Sequence, residues 1–122
     1  MQFIDSDLQF PISSAVVHSG RVFEAVVTGI PDGASRPVEG GAAAEMRECF
    51  RQLDMLLKLA GVDRSAVCTA RLYLEDVVGE IGAVNVVWKE YFGSHPVVRR
   101  AYGVKLQAGM RVEAAFTAEV GA

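Results

Sequence analysis

Two arginines and one glutamate in the C-terminal third are the side chains of this sequence best suited to chemistry. Arg99 and Arg100 lie in a β-prone run from Pro96 to Val104, and Glu113 lies inside the next such run, from Met110 to Ala118. A guanidinium can hold a carboxylate through two parallel N–H···O bonds, and a carboxylate can orient and deprotonate a water molecule. The residues by themselves leave a second interpretation open, in which an Arg–Glu ion pair fixes the register between subunits.

The elements that must position these side chains can be read from the periodicity of the chain. Period-two alternation and β-prone composition predict strands, whereas apolar residues spaced three and four apart predict helices. In chain order the predicted elements are strands at 14–17 and 21–27, a helix at 42–60, a strand at 65–74, a helix at 79–92, and strands at 97–104 and 110–118. Each helix has one apolar stripe, which consists of Met46, Phe50, Leu53, Leu57 and Ala60 in the first helix and of Ile81, Val84, Trp88 and Tyr91 in the second. The order β-β-α-β-α-β-β therefore favours an α+β fold with both helices on one face of a single sheet.

Local signals mark where several of these elements begin and end. His18-Ser19-Gly20 predicts a tight hairpin turn, and Gly61 is placed to end the first helix in the left-handed conformation. Gly40-Gly41 before that helix fits either an anion site at the helix N-terminus or a simple helix start. Asp54 and Lys58 are spaced for an ion pair across one helical turn.

The second face of the predicted sheet has no helix to cover it. Alternation places Arg71, Arg99, Glu113 and Thr117 on this face, beside several apolar side chains. Because neighbours in a strand point to opposite faces, Arg100 must then lie on the other one. The chain is 51% hydrophobic with a mean hydropathy of +0.25, so a face that mixes charge with apolar area predicts packing against another copy of the same chain.

Composition and charge exclude several classes of protein. A length of 122 residues predicts one domain, 1–122, and a net charge of −3 without a basic cluster argues against nucleic acid or an anionic membrane as partner. No apolar run approaches the roughly 18 residues needed to span a bilayer, and the first residues lack a basic segment ahead of an apolar one. We therefore expect a cytoplasmic protein with Cys49 and Cys68 reduced and half-buried. His18 and His95 lie in predicted turns without neighbouring ligands, so no metal site is expected.

Five short segments carry a specific pattern along nearly the whole chain. The most specific is Asn-x-x-Trp-x-x-Tyr-Phe at 85–92, followed by a Pro-x-x-Arg pattern that ends at Arg99. The others are 11–15, 53–61, 73–76 and the stretch from Pro96 into Glu113. In these segments the chain resembles the reactive-intermediate deaminases of the RidA/YjgF family.

The resemblance implies both an assembly and a site. It implies a subunit with a chorismate mutase-like α+β fold in a homotrimer, whose sheets form a central barrel with three clefts between subunits. It places the family's substrate-binding arginine at Arg99, its water-orienting glutamate at Glu113, a cleft asparagine at Asn85, and a substrate-facing backbone carbonyl at Ala101. The implied reaction is hydrolysis of a small imine or enamine carboxylate to a keto acid and ammonia, without a metal or organic cofactor.

Four positions depart from the family pattern. Ile12 replaces a tyrosine and removes a hydroxyl donor, and Val26 lies where a backbone amide beside a glycine approaches the substrate. Glu45 replaces a helix glutamine, and Arg71 replaces a strand threonine. These changes indicate a remodelled cleft. Arg71 either joins Arg99 in gripping a dicarboxylate or forms a salt bridge to Glu113 or another subunit.

The departures leave more than one function open. Besides a deaminase, the residues fit a trimer that binds a small carboxylate without turning it over, or a hydrolase adapted to a pathway-specific substrate. A nuclease or translation-inhibitor role is disfavoured, because an acidic chain without a basic stripe has no evident way to hold RNA.

Overall fold

In the part of the chain that the structure describes, six strands form one mixed sheet, and two helices pack on one of its faces. The computed structural model describes residues 1–7 and 9–121. The elements are β1 (Gln2–Ser6), β2 (Ser13–His18), β3 (Val22–Thr28), α1 (Gly41–Leu59), β4 (Val67–Leu74), α2 (Val77–Phe92), β5 (Val98–Gly103) and β6 (Val112–Glu119), with a 3-10 turn at Arg64–Ala66. The strand order is β1-β2-β3-β6-β4-β5, and every pairing is antiparallel except that of β4 with β5.

The predicted α+β architecture is confirmed, with one strand more than the sequence indicated. Strand β1 pairs with β2 at one edge of the sheet, through the partners Ile4 and Ala15. Only Ile4 of this strand is buried, and Asp5 has a positive φ of 56° that breaks the regular alternation. Without a period-two apolar pattern, the segment carries no signal for a strand.

The core lies between the helices and the sheet. On β6 the buried residues are Val112, Ala114, Phe116 and Ala118, so every second side chain points toward the helices. The predicted stripe of α1 is buried from Met46 to Leu57, and its last member, Ala60, packs at the margin. Phe50 of α1 stacks on Tyr91 of α2 at a centroid distance of 3.9 Å, and its ring also lies 6.1 Å from that of Phe116 in β6, which joins the helices to the sheet. No helix within residues 1–7 and 9–121 is long and apolar enough to cross a membrane.

The structure confirms the predicted end of α1 at Gly61 and decides between the two interpretations of Gly40-Gly41 at its start. Gly61 has a φ of +83°, as predicted for the residue that ends the helix. At the other end, Glu80 of α2 accepts a hydrogen bond from the Ala42 N–H at 2.9 Å. The favourable position for an anion at this helix N-terminus is thus taken by a carboxylate of the same chain, so Gly40-Gly41 is a helix start rather than an open anion site.

Two further expectations were wrong in detail. Asp54 does not pair with Lys58, because its carboxylate instead accepts hydrogen bonds from Tyr91 at 2.5 Å and Arg64 at 3.3 Å. The two cysteines are both free, as expected, but neither is half-buried: Cys49 is buried in α1 and Cys68 is exposed. Burial raises the pKa of the Cys49 thiol, which keeps it neutral.

A matched pair of glycine substitutions tests the helix boundary. Gly61→Ala is expected to lower the free energy of unfolding by about 1 kcal/mol, because an L side chain is strained at a φ of +83°. Gly82 lies inside α2 with nothing within 4 Å of an added Cβ, so Gly82→Ala is expected to raise stability by about 0.8 kcal/mol. Urea unfolding of both variants measures the two changes, and equal signs would contradict the assignment.

Candidate functional site

The face of the sheet turned away from the helices, here called the open face, presents three rows of side chains across β3, β6, β4 and β5. The strand register defines each row, because partners in neighbouring strands share a face. In that strand order the rows are Thr28, Glu113, Tyr73 and Tyr102; then Val26, Ala115, Arg71 and Arg100; then Glu24, Thr117, Thr69 and Val98. The open face therefore carries one acid in its first row and two neighbouring cations in its second.

Arg99 lies on the other face, which corrects the sequence-based placement. Its strand partner is Ala70, a buried residue on the helix-covered side. Strand β5 is the edge of the sheet, and the Arg99 guanidinium extends over the ring of Trp88 in α2, with 4.9 Å from its Cζ to the ring centroid. This cation–π contact holds the half-buried side chain at the rim, and desolvation lowers the pKa of Arg99 from its usual value.

Two other predicted site residues belong to the same rim. Ala101 shares the face of Arg99 and has the buried Leu72 as its strand partner. Asn85 is exposed on α2, one helical turn before Trp88. Its side chain makes no hydrogen bond within the described part of the chain. Arg99 and Trp88 thus meet at this rim, and the exposed Asn85 lies one helical turn from Trp88.

Glu113 is on the open face, half-buried between Thr28 of β3 and Tyr73 of β4. It takes part in none of the ion pairs found among residues 1–7 and 9–121. Arg71 is its diagonal neighbour on β4, yet the two side chains do not form the predicted salt bridge. Within one chain Glu113 and Arg99 are on opposite faces of the sheet, with β4 between their strands, so one chain does not bring them together.

Three of the four departures from the family pattern line one hollow on the open face. The hollow has a volume of about 630 Å³, and its lining includes Ile12, Val26 and Arg71, together with Glu24, Ala115 and Thr117. Ile12 is 58% exposed and Val26 is 52% exposed, so both contribute apolar surface to the cavity wall. The substitutions seen in the sequence are therefore clustered in space and share one cavity.

The fourth departure, Glu45, does not line the hollow but is buried in the core, where it supports the backbone next to the site. Its side chain is only 2% exposed, and its Oε1 accepts the backbone N–H groups of Arg111 at 2.8 Å and Val112 at 3.3 Å. Gly29 leaves room for it, since an added Cβ there would lie 2.5 Å from Cγ of Glu45. Glu45 thus fixes the chain immediately before Glu113. The Arg111 side chain is tied in turn to Glu80 of α2.

Removing the buried carboxylate tests this support. Glu45→Ala is expected to lower the free energy of unfolding by about 2 kcal/mol, because it leaves buried N–H donors without an acceptor. Glu45→Gln retains an acceptor oxygen of the same reach and is expected to cost much less. Urea unfolding of the two variants measures the difference, and an equal loss in both would show that the hydrogen bonds to β6 are not what Glu45 contributes.

Solved structures define the class of this fold. The chain superposes on a putative endoribonuclease from Thermotoga maritima with a TM-score of 0.87, at 20% sequence identity, over 100% of this chain and 99% of that one. The YjgF gene product of E. coli gives a TM-score of 0.81 at 16% identity, covering 95% and 92% of the two chains. The α+β fold with both helices on one sheet face is therefore that of the YjgF-type proteins.

The sequence itself establishes the family. Residues 9–120 match the family model described as Endoribonuclease L-PSP, and the chain belongs to this family, the RidA/YjgF family. A human protein named 2-iminobutanoate/2-iminopropanoate deaminase is 31% identical over 104 residues, which is 84% of this chain and 75% of that protein. The Bos taurus protein of the same name is 34% identical over the same shares of the two chains. The resemblance drawn from the motifs is confirmed.

Proposed function

We propose that the protein hydrolyses small 2-imino acids to 2-oxo acids and ammonia in clefts between subunits of a homotrimer. The observation that carries the proposal is Glu113, a half-buried carboxylate with no ion-pair partner among the described residues. It lies on a mixed, uncovered face in a chain similar to proteins named as imine deaminases. A carboxylate that is free of an internal cation is available to act on water.

The reaction needs a water oriented toward an electrophilic carbon. Glu113 accepts a proton from the water while the oxygen adds to the C=N carbon, and the π electrons pass to the nitrogen, which takes up a proton. The resulting tetrahedral carbinolamine collapses to the C=O product and releases ammonia after proton transfer to nitrogen. An imine carbon is already electrophilic, so positioning of the two reactants supplies most of the rate gain.

Arg99 is assigned to the substrate carboxylate. A guanidinium grips a carboxylate through two parallel N–H···O bonds, and the contact with Trp88 limits the directions in which the side chain can point. Asn85 of α2 and the side chain of Ala101 lie on the helix-covered side of the sheet, and the backbone carbonyl of Ala101 is assigned to face the substrate nitrogen. The family's pattern in the sequence motivates these roles.

The proposed homotrimer allows Arg99 and Glu113 to act in the same cleft. Arg99 and Glu113 are on opposite faces within one chain, so a shared cleft requires Arg99 of one copy and Glu113 of another. The open face offers apolar area for such packing, including Val26, Val98 and Tyr102. Sedimentation analysis is expected to give about three times the chain mass of 13.1 kDa, and a monomer would contradict the shared cleft.

The activity is tested directly on a freshly generated imine. An amino-acid oxidase forms 2-iminopropanoate in situ, and the protein is expected to accelerate pyruvate formation above the uncatalysed hydrolysis. The heat-denatured protein at equal concentration is the control. A failure to accelerate hydrolysis of 2-iminopropanoate, 2-iminobutanoate and a dicarboxylic imine would overturn the proposal.

The clustered departures favour one alternative, a protein that binds a small carboxylate without turning it over. Ile12 and Val26 make the hollow more apolar than a cavity with a tyrosine hydroxyl in its wall, and this suits binding of a carbon skeleton. Calorimetric titration with 2-oxobutanoate discriminates between the two functions. Saturable binding together with no hydrolysis of the corresponding imine would select the alternative.

A further inference from the structure

Trp88 of α2 holds Arg99 through a contact that leaves the N–H groups of the guanidinium free. The Arg99 Cζ lies 4.9 Å from the centroid of the indole ring, and such a ring attracts a cation but offers no oxygen acceptor. Among residues 1–7 and 9–121, the Arg99 side chain has neither a carboxylate partner nor a hydrogen bond. Its forked donors are therefore held in place and remain available to a ligand.

A second arginine that lies over a ring of α2 behaves differently. The Arg64 Cζ is 3.9 Å from the centroid of Tyr91, so the cation–π contact is of the same kind. However, Nη1 of Arg64 donates to the Tyr91 carbonyl at 2.9 Å and Nη2 donates to Asp54 at 3.3 Å. Arg64 thus uses its donors within the chain, as expected of an arginine that ties elements together, whereas Arg99 has the ring contact alone.

Three phenylalanines fix the position of the Trp88 ring. Its centroid lies 4.6 Å from that of Phe92, 5.9 Å from Phe50 and 6.2 Å from Phe116. All three are buried, and close packing in the core restricts the side-chain conformations of the ring that they surround. The core therefore sets the place of Trp88, and Trp88 in turn limits the positions open to the Arg99 guanidinium.

Partial burial also prepares Arg99 for an anion. Desolvation lowers the pKa of Arg99, which means that the guanidinium has lost part of its hydration before any ligand arrives. The attraction to the indole ring compensates for some of this loss. A carboxylate that reaches the guanidinium then displaces less water, and the two charges attract each other more strongly than they would in bulk water.

We propose that Trp88 is a positioning residue, which presents the forked N–H groups of Arg99 to the carboxylate of the substrate. This inference rests on the proposed function, from which it takes the assignment of the substrate carboxylate to Arg99. Trp88 acts through Arg99 and takes no part in the chemical step. Its removal is therefore expected to weaken the binding of 2-imino and 2-oxo acids and to leave kcat largely unchanged.

Calorimetric titration of the full chain with 2-oxobutanoate measures this binding without turnover. Trp88→Leu is expected to raise Kd about tenfold, the order of effect of losing a partly desolvated cation–π contact. Trp88→Phe keeps a ring with a weaker attraction for cations, so it is expected to raise Kd only about threefold. An unchanged Kd in Trp88→Leu, or an equal rise in both variants at equal stability, would overturn the proposal.

A matched control separates positioning from loosening of the helix. Tyr91→Leu removes the ring that lies beneath Arg64 on the same helix, and it is expected to leave the Kd for 2-oxobutanoate unchanged. Urea unfolding, followed by circular dichroism, gives the stability of each variant. An equal rise in Kd in Tyr91→Leu and Trp88→Leu would overturn the proposal, because a loosened α2 would explain both.

The emission of Trp88 supplies a test that leaves the ring intact. Trp88 is the only tryptophan of the chain, so its fluorescence reports on Arg99 directly. Saturating 2-oxobutanoate is expected to change the emission of the wild type, and the same concentration is expected to have no effect on Arg99→Met. A change of equal size in Arg99→Met would overturn the proposal, since the ligand would then affect Trp88 without Arg99.

The outcomes distinguish this inference from the proposed function. If these binding and emission results were obtained but 2-iminopropanoate were not hydrolysed faster, the deaminase function would fail and the positioning of Arg99 by Trp88 would stand. If 2-iminopropanoate were hydrolysed with the same KM in the wild type and in Trp88→Leu, only the role of Trp88 would fail.

Discussion

Glu113→Gln is expected to lower kcat for 2-imino acid hydrolysis by about 10²–10⁴-fold, the range that general base catalysis supplies. Glutamine has nearly the same shape and keeps an oxygen to orient water, but it cannot accept the proton that the water must lose. The change falls on kcat more than on KM, because the substrate carboxylate is assigned to Arg99. The measurement is the rate of pyruvate formation from 2-iminopropanoate at saturating imine.

The same strand offers a matched control for this variant. Glu119 is also on β6, where it is exposed and paired with Arg21 at 2.6 Å, at the far end of the strand from Glu113. Glu119→Gln makes the same chemical change and is expected to keep wild-type kcat. Equal activity in the two variants would remove Glu113 from the reaction. A loss of the folded state in Glu113→Gln, seen by circular dichroism, would instead assign it a structural role.

Most of the fold could be predicted from local periodicity. The stripes at Met46 to Leu57 and at Ile81 to Tyr91 each face one side, and two such helices have only one economical way to cover a sheet. The boundaries also had local causes, as the left-handed Gly61 shows. Strand β1 was not predictable in this way, because its place in the sheet comes from pairing with β2 rather than from its own pattern.

The face of each arginine could not be predicted from alternation alone. Alternation requires Arg99 and Arg100 to point in opposite directions, but it does not say which of them faces the helices. The parallel register between β4 and β5 decides this, because it pairs Arg99 with Ala70, which faces the helices. The two strands are neighbours in the sheet but are separated in the sequence by helix α2. A shift of one residue in this register would exchange the two arginines, so the outcome depends on long-range packing.

The hydrogen bonds that Glu45 accepts from the backbone just before Glu113 could not be predicted from the sequence either. Glu45 precedes Arg111 by 66 residues, and their hydrogen bond depends on the packing of α1 against the start of β6. Glu80 connects the same region to the N-terminus of α1 through the Ala42 N–H. Sequence comparison with the family singled out Glu45 as a departure, but its buried position and its contact with β6 are visible only in the three-dimensional structure.

Arg99→Met is expected to raise KM for 2-iminopropanoate about 10²-fold, the loss that corresponds to two charge-assisted hydrogen bonds of about 1.5 kcal/mol each. Arg99→Lys keeps the charge but not the forked geometry, so it is expected to recover only part of this loss. Steady-state kinetics over a wide imine range separate KM from kcat for each variant.

Arg64→Met is the matched control, because Arg64 lies over the ring of Tyr91 in α2 at 3.9 Å and so makes a cation–π contact of the same kind away from the rim of Arg99. This variant is expected to keep wild-type KM. If Arg64→Met and Arg99→Met raised KM equally, the effect would come from loosening of α2, and the substrate carboxylate would not be bound by Arg99. If only Arg99→Met raised KM, the substrate carboxylate would bind at the rim beside Trp88. One copy would then contribute this rim to the shared cleft, and another copy would contribute Glu113.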